Sequence, residues 1–155
     1  MAQELSDLLI NIGISTFMVL LTTSIYYEIL RLCWNLLPKI KTAPRRRLIV
    51  VVIAIFTGHT IAVWAYAVAY WLMAEYMNLG MLVGEFDSGF ISYLYYSAAT
   101  YSSLGIGDIF PQGHLRFLTG VEVLNGLVMI GWSVSFTYLA MEKFWDMHPR
   151  RVKKR

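Results

Sequence analysis

The chain has 155 residues, 57% of them hydrophobic and 15% charged, with a formal net charge of +3 and a mean hydropathy of +0.55. That balance excludes an ordinary soluble domain of this size and fits a small bundle of membrane helices. The single cysteine excludes an intramolecular disulfide and a cysteine-based metal framework.

Three windows carry the ~18 or more mostly apolar residues needed to cross a hydrocarbon core of about 30 Å. They are Leu8 to Leu32, Leu48 to Tyr76 and Leu115 to Trp145. Residues 1–37 are expected to form an N-terminal transmembrane helix. Its start, MAQELSD, is acidic, and its apolar run exceeds the ~7–15 residues of a signal-peptide core, so it reads as a retained span. Within it Asn11, Ser15, Thr16, Thr22, Thr23 and Ser24 suit bonds to neighbouring helices. Glu28 and Arg31 are spaced to pair, and Cys33 reads as a small buried apolar residue.

A basic loop follows at 38–47, with Lys39, Lys41, Arg45, Arg46 and Arg47, and a basic tail ends the chain at 146–155. The positive-inside rule places both in the cytoplasm and the N-terminus outside, in a plasma or inner cell membrane. The tail, HPRRVKKR, lies beside a membrane helix and is expected to hold anionic lipid headgroups, not nucleic acid.

The second span, 48–77, carries Gly58-His59 within it, and His59 reads as a hydrogen-bonded residue or a pH sensor. Trp64, Trp71, Tyr66, Tyr70 and Tyr76 run toward its outer end, where the outermost suit an interfacial aromatic belt. The stretch Asn78 to Ser88 is expected to be an outer loop, with Asp87 or Ser88 capping the next helix. That helix, 89–102, is too short to cross. An irregular segment follows at once, and the chain then turns into the third span, 115–145. A short helix, glycine-rich backbone and a return to the same side make a re-entrant loop, tolerated at membrane depth only where it is buried in protein or lines a water-filled path.

The segment TYSSLGIGDIFP, Thr100 to Pro111, has the chemistry to pass a dehydrated cation. Backbone carbonyls replace hydration oxygens if successive carbonyls turn to one axis, and that alternation calls for left-handed backbone angles, which Gly105 and Gly107 supply at every second position. The Ser103 hydroxyl adds an oxygen at the inner end. One strand offers too few oxygens, so several copies must converge. The inward C-terminal end of the short helix adds partial negative charge. In the third span Leu127, Ile130, Val134 and Tyr138 share a helical face suited to lining a cavity. Glu122 falls off that face and reads as a structural partner for Ser or Tyr groups of the short helix, or as a cation attractor. There is no nucleophile–base pair to support an enzyme.

This segment resembles the pore loop of potassium channels, whose consensus is T-x-T-T-V-G-Y-G-D-x-x-P. The resemblance covers Ser88 to about Met141, and the first span lies outside it. It implies a homotetramer with potassium ions bound at Ser103, Leu104, Gly105 and Ile106, and a filter spanning 103–107 with Gly107. The implied filter supports are Thr100, Asp108 and the aromatic pair Tyr95 and Tyr96, and Gly126 and Gly131 take the places of inner-helix glycines that act as gating hinges. No cofactor is implied beyond the permeant ion. The family threonine is Ser103 here, its valine Leu104 and its tyrosine Ile106, and Ala99 stands where some relatives carry a buried glutamate. The expected fold is all-α: three transmembrane helices per subunit, a re-entrant pore helix and a selectivity filter, in a tetrameric pore. The expected function is potassium conduction; the alternatives are a weakly selective potassium and sodium pore, or a non-conducting accessory subunit.

Overall fold

The computed structural model describes residues 2–40, 44–84 and 89–144. Lys41, Asp87, Ser88 and the basic tail at 146–155 lie outside the described residues, as does the Arg45 side chain. Three helices are long and apolar enough to cross a membrane, and the protein is a membrane protein. They are α1 (Ala2–Leu36), α2 (Pro44–Glu75) and, after a short α3 (Phe90–Tyr101), α4 (Leu115–Phe144). At ~1.5 Å per residue each of the three exceeds the hydrocarbon thickness, whereas α3 does not.

Helix ends follow from backbone chemistry. A 3₁₀ turn at Leu37–Lys39, with proline near its start, ends α1. Pro44 is the first residue of α2, where its missing N–H costs no hydrogen bond. Helix α2 therefore begins inside the stretch that the sequence assigns to a loop, 38–47. After α2, Asn78 takes φ 51, a left-handed conformation that asparagine tolerates. The cap of α3 also differs from the sequence expectation: its N-cap is Gly89, extended and without a side-chain bond.

The all-α expectation gains one element. The supposed outer loop contains strand β1 (Gly80–Gly84), which pairs antiparallel with β2 (Ile109–Gly113) just after the irregular segment. The register runs from Gly80 opposite Gly113 to Gly84 opposite Ile109. This ribbon ties the end of α2 to the start of α4, reinforced by His114 N–H donating to the Leu79 carbonyl at 2.8 Å. It ties down the C-terminal end of the irregular segment.

Helices α2 and α4 are the shared partners of the bundle: α1 packs on both, and so does α3. The buried side of α1 is one stripe, Asn11, Ser15, Met18, Thr22, Tyr26, Leu30 and Cys33, at three- and four-residue spacing, continued by Leu37 of the 3₁₀ turn. Its polar members bond across to α4 or the turn before it. Asn11 Nδ2 donates to the His114 carbonyl at 2.5 Å, Asn125 Nδ2 donates to Thr22 Oγ1 at 2.7 Å, and Tyr26 meets Ser133. Of the aromatics that run along α2, Tyr66 and Tyr70 lie fully buried, while Trp64 and the outermost, Tyr76, are exposed.

Candidate functional site

The irregular segment begins where α3 ends. The amides of Leu104 and Gly105 both bond back to the Ala99 carbonyl, at 2.9 and 3.3 Å, and Ser103 N–H reaches the Thr100 carbonyl at 2.9 Å. These bonds use the amides and leave the oxygens free: among the described residues, no hydrogen bond is accepted by the carbonyls of Ser103, Leu104, Gly105, Ile106 or Gly107. The backbone alternates as well. Ser103, Gly105 and Gly107 have φ of 60, 53 and 88, whereas Leu104 and Ile106 do not take positive φ. A left-handed residue at every second position reverses the ordinary strand alternation, so successive carbonyls turn toward one side. All five residues are exposed in the single chain.

The departures from the family consensus now have a local context. Ser103 sits at φ 60, a conformation strongly disfavoured for a β-branched threonine. Leu104 and Ile106 present exposed side chains.

The walls around the segment come from α3, α4 and the ribbon, and enclose a cleft of about 260 Å³ between Tyr95, Thr100, Ile106 and Thr119. Tyr95 donates its hydroxyl to Asp108 Oδ2 at 2.8 Å, and Asp108 Oδ1 accepts the Ile109 amide at 3.0 Å. The carboxylate beside it holds the Tyr95 phenol above its ordinary value of 10.0, chiefly through that hydrogen bond. Tyr96 is buried and meets Thr119 Oγ1 at 2.8 Å, and since Thr119 donates to the Leu115 carbonyl, Tyr96 is the donor. Thr100 is buried beside it. The four expected supports thus divide: Tyr95 and Asp108 bond to each other at the C-terminal end of the segment, while Tyr96 and Thr100 are buried inside the bundle.

Glu122 is fully buried. Its carboxyl accepts from Ser97 Oγ on α3 at 2.6 Å and from the Tyr70 hydroxyl on α2 at 2.6 Å. It is thus a buried partner of the short helix α3 and of α2. Leu127, Ile130, Val134 and Tyr138 are all exposed in the single chain, on a face of α4 that no other element covers. Gly126 and Gly131 differ. A Cβ at Gly126 would collide with the Tyr101 carbonyl, so this glycine admits the end of α3 against α4, whereas a Cβ at Gly131 meets nothing within 4 Å.

A family model described as ion channel matches residues 58–143, more than half of the chain. The chain belongs to the ion-channel family, of the potassium-channel pore-loop type. The match runs from Gly58 in α2 through α3 and the irregular segment to the end of α4, so α1 stands outside it. No curated protein and no solved structure matches the chain.

The sequence marks out the segment, Tyr101 included, with Glu122 and His59, but not Ser97, Thr119, Asn125 or Ser133. Those four tie α3 and α1 to the rest of the bundle. The available signal was the run of polar residues on the otherwise apolar α4, where each hydroxyl or amide at membrane depth needs a partner.

Proposed function

We propose that four copies of this subunit assemble around an axis and conduct potassium through the carbonyls of Ser103, Leu104, Gly105 and Ile106. The Ser103 hydroxyl is the innermost ligand, and the Leu127–Tyr138 face lines the cavity below. The single observation that carries this reading is the alternation of φ at Ser103, Gly105 and Gly107 with the unbonded carbonyls between them. Four copies supply four oxygens in each layer, which together replace a hydration shell. The end of α3 adds the negative pole of a helix dipole behind the segment. The ribbon and the Tyr95–Asp108 bond keep the outer end from collapsing when an ion leaves.

Charge supports an arrangement with the N-terminus outside, because eleven of thirteen basic residues fall in the first loop or at 143–155. The tail then meets anionic headgroups of the inner leaflet.

Ile106 favours a second reading, a pore that passes sodium as well. It offers no hydroxyl with which to pin the segment to α3, and its side chain is 55% exposed. Purified protein in vesicles with opposed potassium and sodium gradients separates the readings. A reversal potential near that of potassium supports selective conduction, and one near zero supports the weakly selective pore. Intact tetramers without flux would point to an accessory subunit. Gly105→Ala should abolish most of the flux, because a Cβ at φ 53 strains the left-handed backbone by ~1–2 kcal/mol in each subunit. Undiminished flux in that variant would refute the assigned pathway.

A further inference from the structure

Tyr101 closes α3 and is the last helical residue before Ser102 and Ser103. It is held at both ends. Its carbonyl rests on Gly126 of α4, and its hydroxyl reaches His59 Nδ1 of α2 at 2.9 Å. His59 Nε2 lies 2.8 Å from Ser133 Oγ of α4. The hydroxyl of Tyr26, on α1, meets the same Ser133 oxygen and lies 3.5 Å from His59 Nε2. Gly58 makes this possible, since a Cβ there would fall 2.6 Å from the Tyr26 ring.

With His59 neutral and the Ser133 proton on the Met129 carbonyl, every bond in the set takes a direction. Ser133 has one hydroxyl proton and donates it to the Met129 carbonyl at 2.8 Å. Its oxygen therefore accepts from both Tyr26 and His59 Nε2–H. His59 Nδ1 is then unprotonated and accepts from Tyr101. Each donor in the set has one acceptor. The result is a continuous chain of hydrogen bonds from α1, through α4 and α2, to the residue that launches the irregular segment.

We propose that α1, which lies outside the family match, is a positioning element for this segment. Tyr26 and Ser133 orient the His59 ring, and His59 fixes Tyr101 and with it the backbone of 102–107. The positioning role itself is independent of what the segment conducts; only its consequence for ion selection rests on the function proposed above.

Amide hydrogen exchange of the full chain in lipid nanodiscs tests this, read on the peptide covering Ser102 to Asp108. Tyr26→Phe and Tyr101→Phe keep their rings and remove one hydroxyl each. Each should accelerate exchange about fivefold, the effect of one hydrogen bond of ordinary strength. The double variant should exceed the larger single by less than twofold, because both act through His59. Ser133→Ala, which removes the anchor of both Tyr26 and His59, should match Tyr26→Phe and serves in its place if that variant assembles poorly. Thr22→Val breaks a different bond between α1 and α4 and should leave the segment within twofold of wild type. Wild-type exchange in Tyr26→Phe and Ser133→Ala, or equal acceleration in Thr22→Val, would overturn the proposal. Vesicle flux adds a separate readout: Tyr26→Phe should shift the reversal potential between potassium and sodium. Accelerated exchange in a protein that carries no current would uphold the positioning role and count against the conduction pathway alone.

Discussion

Ser97 on α3 and Glu122 on α4 are joined by a 2.6 Å hydrogen bond, with both side chains fully buried. Tyr70 of α2 donates to the other carboxyl oxygen, so one acid on α4 clasps both α3 and α2. Helix α3 carries no acid, so the carboxyl in this contact comes from α4.

Replacing Glu122 by Leu keeps the volume roughly constant but removes the acceptor that both hydroxyls share, leaving Ser97 the Val63 carbonyl at 2.9 Å and Tyr70 the longer contact to Thr119 Oγ1 at 3.3 Å, a loss of about 0.5–1.5 kcal/mol for each hydrogen bond. Glu122→Gln keeps an acceptor oxygen and should lose less. Thermal unfolding in detergent should rank wild type above Gln and Gln above Leu. Equal midpoints for the two variants would mean that the clasp adds nothing beyond packing.

The glycines of α4 give a sharper contrast. The resemblance assigns Gly126 and Gly131 a common part in bending the inner helix, but only Gly126 has a neighbour where a side chain would stand. Gly126→Ala should push the end of α3 away at a cost of ~1–3 kcal/mol, as overpacking does, and should lower flux. Gly131→Ala should fold and conduct as wild type. Similar losses at both positions would favour bending over packing as the shared requirement.

The three spans are legible in the sequence because hydropathy over some thirty residues survives any tertiary detail. The pore helix is legible because Gly89 to Ser102 is too short to cross and ends in glycine-rich chain. The ribbon is not. GMLVG and IFPQG are five residues each, the second contains Pro111, and neither alternates cleanly, so strand pairing across about thirty residues leaves no local signature. The partners of α1 are hidden for a related reason. Asn11, Thr22 and Tyr26 fall on one helical stripe that the sequence does display, but the groups they meet on or just before α4 lie more than a hundred residues away. Periodicity names the face of a helix and leaves its neighbour open.

Ser103 offers a test in which resemblance and geometry point in opposite directions. The family consensus favours threonine there, so Ser103→Thr looks restorative. At φ 60 a β-branched side chain is strained by roughly 1–2 kcal/mol, and four subunits would bear it together. The expected outcome is reduced potassium flux at unchanged tetramer yield. Increased flux would show that residue 103 adopts an ordinary right-handed backbone in the assembled pore.

The Tyr95–Asp108 bond has a defined pH window. Tyr95 donates only while its phenol is protonated, and the adjacent carboxylate raises its pKa above the ordinary 10.0. For an acid whose pKa rises on folding, the stabilisation is complete below the unfolded value and is lost as pH climbs through the folded one. The brace is therefore constant from pH 6 to 9 and fails only on the alkaline side of about 10. Tyr95→Phe removes it at every pH. Flux through the variant should fall below wild type by the same factor at pH 6, 7.5 and 9, and the two should converge above pH 10. A ratio that drifts across the neutral range would assign the pH response to another group and remove Tyr95 from the outer support of the segment.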